Sequence, residues 1–196
     1  SSAEYQYAIL LPANDSKAHS CLRVGFVILI ITTILCLLTL PFSDKIASLL
    51  NTPEFADCQW GLPLFILFSG GWQLLNYWHT RKKNFNLAST YQVSKSLLNA
   101  GLKWIFGIIG WIKGGLILAT VLSAIVSFLL NIARTRSTYS WKEILRFHSD
   151  DKETAKEYRN FPHFSLPKSS IGYISSNLPF FMLIPAFGLK EMGYYG

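Results

Sequence analysis

The side chains with most chemistry to offer in this 196-residue chain are few: four histidines, three cysteines and one lysine set inside an apolar run. His19, His79, His148 and His163 have neither metal-ligand spacing nor a carboxylate on a shared face, and all lie in polar connections or at their edges. Cys21, Cys36 and Cys58 form no CxxC and no Cys/His cluster, so they read as free thiols. The chain contains no GxSxG, no phosphate-cradling P-loop and no GxGxxG. Metal, cofactor and nucleophilic chemistry therefore lack a motif, and the sequence points to a non-enzyme that needs no cofactor.

What remains is a set of polar residues repeating every three or four positions within apolar runs. Thr32, Cys36 and Thr39 form one set; Ser69, Gln73, Asn76 and Thr80 a second; Ser96, Asn99, Lys103 and Gly107 a third; Thr120, Ser123, Ser127 and Asn131 a fourth. On helices each set makes one stripe. Small and hydroxylated residues in such stripes commonly serve as packing glue between membrane helices. Lys103 differs, because an ammonium in the middle of a span costs about 3 kcal/mol on insertion scales. It is expected to face a hydrated cavity, with snorkelling toward Lys113 as the alternative. With Arg23 near the inner mouth, the fixed charges of such a passage are cationic, which favours an anionic ligand. Absence of Asp and Glu from these runs argues against a proton or sodium relay.

The elements that must position these stripes follow from hydropathy. Hydrophobic residues make up 51% of the chain and charged ones 15%, too few charges for an ordinary soluble surface. A bilayer core asks for about 20 mostly apolar residues per helix. Leu22–Leu40, Trp60–Trp78, Gly114–Ala133 and Ser169–Leu189 meet that test, and Leu97–Ile112 is a shorter fifth, joined to the next by the tight turn WIKGG. The fold expected is all-α: a polytopic transmembrane bundle of about five spans.

Charge supports that count. Arg81, Lys82, Lys83 and Lys95 precede the third span, and eight Lys or Arg from Arg134 to Lys168 precede the fifth, whereas the alternate connections hold Lys45 and Lys113. The positive-inside rule then places the N-terminal segment, 79–96 and 134–168 in the cytoplasm. It also assigns the net charge of +7 to membrane-facing loops rather than to nucleic acid. Within 134–168, Ser140 to Glu143 reads as a capping box, and Trp141, Ile144, Leu145 and His148 share the face of an amphipathic linker lying at the headgroups. A second short helix is expected from Asp150.

The stretch EYRNFPHFSLPKSSIGYISSNLPFFMLIPAFGLKEMGYYG carries Tyr158-Arg159-x-Phe161-Pro162, Ser165-Leu166-Pro167, Asn177-x-Pro179, Phe187-Gly188 and Gly193-x-Tyr195. Together with YAILLP, LPLFILFSGGWQLLNYWHTRKKNFNLAS and GGLILA, it resembles bacterial oligosaccharide flippases of O-antigen and exopolysaccharide biosynthesis, within the multidrug/oligosaccharidyl-lipid/polysaccharide exporter superfamily. The resemblance implies one lobe of a two-lobed inner-membrane exporter in 1–133, the inter-lobe linker in 134–168 and the first helix of the second lobe in 169–196, so that the chain is an internal fragment of a partial exporter fold. It also implies an undecaprenyl-diphosphate-linked oligosaccharide as substrate, with membrane lipids and polysaccharide polymerase machinery as partners; the stripes and the inner mouth supply Lys103, Asn99, Arg23, Gln73 and Asn76 as the lumen candidates expected to contact its diphosphate or sugar. The alternatives are a related drug or peptidoglycan-precursor exporter, and a non-transport membrane component of polysaccharide assembly.

Overall fold

In the computed structural model, residues 5–12, 14–45, 59–110, 114–138, 154, 156–157, 167–178 and 182 are described. These residues are all-α, as the sequence leads one to expect, with no strand among them. A short α1 (Tyr5–Ala8) leads to α2 (Asp15–Leu38), which continues through a 3-10 turn at Leu40–Phe42. Then follow α3 (Gly61–Arg81), α4 (Phe85–Ile108) and α5 (Gly115–Thr138). Residues 167–178 are helical, and the rest of the expected fifth span lies outside the described residues. So do the capping box, the amphipathic face of the linker and Cys58; Cys21 and Cys36 are free thiols.

Each boundary has a local cause. Asn14 stands at the N-cap of α2 in extended conformation and Asp15 opens the first turn, where an acid meets the positive end of the helix dipole. Pro63 sits within the first turn of α3, where no N–H is missed. At the end of α3, Asn84 N donates to His79 O and Lys83 N to Thr80 O, the paired bonds of a Schellman motif. Lys83 supplies the left-handed residue with φ 59°, a place glycine fills more often. Gly110, φ 75°, does the same after α4.

That motif corrects one expectation. Residues 79–96 are not a loop: α4 begins at Phe85, twelve residues before the expected Leu97. The polar run NLASTYQVSKS is rich in residues that tolerate a helix, and its Tyr91 is buried in the bundle. Lys95 is therefore a mid-helix residue. Among the described residues the span count is also lower than expected: two helices, Asp15–Lys45 and Gly115–Ala133, are long and apolar enough to cross a membrane by length and composition. In α3 the run is diluted by Pro63, Gly70, Gly71, Gln73 and Asn76, and in α4 by the same polar segment that hid its start.

The packing is layered around α3, which lies against α2 on one side and α5 on the other, while α4 packs on α5 and more lightly on α3. Between α1, α2 and α3 the contact is apolar: Tyr5, Ile9, Cys21, Leu22, Leu29, Leu74 and Trp78 form one buried cluster. The outer face of α2 exposes Ile30, Ile31, Ile34, Leu35 and Leu38, as a lipid-facing helix does. One end of this unit is tied by charge, with Lys82 Nζ 2.6 Å and Arg81 Nη2 3.3 Å from Asp15, and Arg81 Nη1 donating to Ile9 O at 3.0 Å.

α3 meets α5 through glycine. A Cβ on Gly71 would stand 2.6 Å from Phe128 Cε2 and 2.9 Å from Cζ, so the half-buried ring, held edge-on to Phe68 at 5.7 Å, would have to shift. Gly71→Ala is therefore expected to lower the melting temperature of the purified protein in detergent, at a cost of about 1–3 kcal/mol from overpacking. Gly101→Ala, where nothing lies within 4 Å of the new methyl, should hold or gain up to about 1 kcal/mol from helix propensity. Equal melting of the two variants would refute this close approach.

Candidate functional site

Three stripes meet where α3, α4 and α5 come together. On α3, Trp72, Asn76 and His79 follow at i, i+4 and i+7; on α4, Tyr91, Lys95, Asn99 and Lys103 recur every four residues; on α5, Ser123, Ser127, Asn131 and Thr135 do the same. That spacing puts each set on one side of its helix. Observed side-chain contacts join α3 to both of the others. His79 Nε2 lies 3.0 Å from Asn131 Oδ1 and 3.1 Å from Thr135 Oγ1, joining α3 to α5. Its ring stands 5.8 Å from that of Tyr91, joining α3 to α4. Lys95 Nζ lies 3.9 Å from the centroid of Trp72, a cation held over the negative face of an indole.

This seam is dry and polar at once. His79, Asn131, Thr135, Ser123 and Ser127 are buried, as is Trp72. Several of their polar atoms have no hydrogen-bond partner among the described residues: His79 Nδ1, Asn131 Nδ2, Ser127 Oγ, Trp72 Nε1, Asn76 Oδ1 and Asn99 Oδ1. Each such atom costs about 1–3 kcal/mol where water is excluded. Acceptors and donors are both represented, and one ammonium lies among them. The arrangement can hold a ligand that offers hydroxyls as well as negative charge.

The residues singled out from sequence fall in three places. Asn76 and Asn99 lie on the seam, each with a partnerless amide oxygen. Lys103 is on the same α4 stripe, two turns beyond Lys95, and is partly buried. Gln73 is partly buried on α3, rotated by about 100° from Trp72. Arg23 is buried on α2, where its guanidinium donates to Ser20 Oγ at 3.0 Å, one turn back. It lies on α2, which packs against the other side of α3 from α5.

Sequence reasoning missed His79, Lys95, Tyr91, Trp72 and Thr135. His79 and Lys95 were assigned to a polar connection, and Trp72 has no polar spacing of its own. A signal existed: positions 72, 76 and 79 repeat with helical period, and so do 91, 95, 99 and 103.

The sequence matches the family model described as polysaccharide biosynthesis protein across residues 7–196. No curated protein and no solved structure matches it.

If the seam is the strained interface its orphan atoms imply, two deletions on α5 have opposite effects. Ser127→Ala removes an unsatisfied hydroxyl and should raise the melting temperature, by about 1 kcal/mol of stability. Asn131→Ala takes the 3.0 Å partner from His79 and should cost about 1–3 kcal/mol. Thermal unfolding in detergent reads both, and a stabilised Asn131→Ala would contradict the His79 contact.

Proposed function

The chain belongs to the polysaccharide biosynthesis protein family, and from that premise we propose that it works as a flippase, carrying a lipid-diphosphate-linked oligosaccharide across the bacterial inner membrane in a multi-pass bundle. Among the described residues, two helices apolar enough to cross a membrane support its being a membrane component of that pathway. On this reading the chain is a carrier and not an enzyme.

The observation that carries the reading is the α3–α4–α5 seam. The seam offers a cation over an indole, unpaired amides and hydroxyls, and one buried imidazole. Those are groups for holding and releasing a hydroxyl-rich anion. Lys95 would meet the diphosphate and Asn76, Asn99 and Trp72 the adjoining sugar, with Lys103 farther along the same stripe. Lys95 over Trp72 is held by about 0.5–2 kcal/mol, weak enough to be exchanged for a phosphate contact.

Surface glycan in a flippase-null strain carrying the full-length gene provides the test. Lys95→Ala should reduce it by about tenfold or more, the loss of one charged hydrogen bond in a dry site. Lys95→Arg, which keeps the charge, should lose less. In the failing strain, complete lipid-linked repeat units should accumulate in the membrane. Truncated units would mean a lost synthetic step instead, and full surface glycan with Lys95→Ala would remove that residue from the mechanism.

A further inference from the structure

Among the partnerless atoms of the seam, His79 Nδ1 belongs to a side chain 1% exposed and able to change its charge. The neighbours of the ring settle which nitrogen carries hydrogen. Nε2 faces Asn131 Oδ1, a carbonyl-type acceptor, at 3.0 Å. It also faces Thr135 Oγ1 at 3.1 Å, whose own hydrogen is directed to Asn131 O at 2.7 Å, leaving a lone pair toward the imidazole. With Asn131 Oδ1 as the acceptor on that side, the tautomer that makes this contact carries its hydrogen on Nε2. The lone pair of the neutral ring is therefore on Nδ1, and no group among the described residues occupies it.

We infer that His79 Nδ1 is a proton-binding site, and that filling it loosens α3 from α5 so that the seam opens. The step is a simple transfer: a hydronium ion reaching the seam breaks one O–H bond, the Nδ1 lone pair forms an N–H bond, neutral water leaves, and the imidazole becomes imidazolium. No redox partner is involved. The ring then carries a charge amid neutral amides and hydroxyls, which favours the arrangement in which water or an anion can reach it. By linkage, an opened seam binds the proton more tightly in return.

The surroundings make His79 the group suited to this. On α5 its described neighbours, Asn131 and Thr135, are neutral. On α4 the groups near it are Tyr91, in ring contact, and Lys95, one turn farther and over Trp72. Beyond it on the chain, Arg81 and Lys82 are engaged with Asp15 of α2, and His19 of α2 packs on Trp78. The site replaces the membrane carboxylate whose absence from the apolar runs argued against proton coupling.

As a driver of translocation the site rests on the flippase reading, so its test has two readouts. The first uses full-length protein in nanodiscs with 15N-labelled histidine, the His79 resonance being assigned by its loss in His79→Gln. Near neutral pH it should show hydrogen on Nε2 alone, and acidification should convert it to the doubly protonated ring. A ring that keeps one form over the whole range in which the protein stays folded overturns the inference. The second uses vesicles reconstituted with the full-length protein, a lipid-diphosphate oligosaccharide and a pH-sensitive dye. Wild-type translocation should be accompanied by proton flux, and His79→Gln, which keeps an N–H donor for Asn131 but cannot carry the charge, should lose that flux. Flux retained by the variant would also overturn it. No translocation by wild-type protein, with His79 still titrating, would instead count against the flippase reading alone.

Discussion

The bond between His79 Nε2 and Asn131 Oδ1 is the contact on which the organisation of this bundle turns. Where one apolar helix face meets another, hydrophobicity does little to choose the register, because it is non-directional. Register then has to come from close packing and from polar side chains that would otherwise stand in hydrocarbon without a partner. Here both operate on the same pair of helices. Gly71 lets α5 approach until Phe128 lies over the α3 backbone, and two turns along α3 the imidazole meets Asn131 and Thr135. Glycine sets the distance and histidine the axial position.

With α5 fixed on α3, the rest of the arrangement follows. The Schellman turn at Lys82–Asn84 sends α4 back along the same pair of helices, so that Tyr91 and Lys95 come to His79 and Trp72 in turn. The opposite side of α3 is left for α2 and the apolar cluster around Leu74 and Trp78. α3 thus has two unlike faces. Against α2 it is packed with carbon and tied at its end by Asp15, while against α4 and α5 it is lined with groups whose hydrogen-bonding capacity is partly unused.

How much of this was legible in the sequence depends on which force sets each feature. The apolar cores of α2 and α5 were located by hydropathy alone, although α2 begins at Asp15, seven residues before the expected Leu22, where the run is still polar. The stripe on α5 was legible too, since Ser123, Ser127 and Asn131 stand out against aliphatic neighbours. The start of α4 was not, because Asn86 to Ser96 is polar enough to read as a loop and buries Tyr91 alone. That single boundary hid Lys95 and left His79 at the edge of a connection. Which stripes meet was beyond the sequence as well: the approach at Gly71 is a property of the paired helices, and glycines at 101 and 107 with nothing near them look the same in one dimension.

A seam of this kind is costly to keep closed. Burying a hydroxyl, an indole N–H and amide groups without partners raises the free energy of the packed state relative to any state in which water or a ligand reaches them. The apolar face toward α2 gains nothing comparable by opening. A force that separates the helices therefore finds its weak boundary between α3 and α5, not between α2 and α3. If α2 and α3 move as one body, the displacement is borne at the glycine contact and at the His79 bond. The polar atoms exposed by that movement lie on the stripes that also carry Lys95 and Lys103. The cost of the closed state and the capacity to bind an anion thus reside in the same side chains, so a ligand that satisfies them would stabilise the opened arrangement over the closed one by the difference in contacts alone.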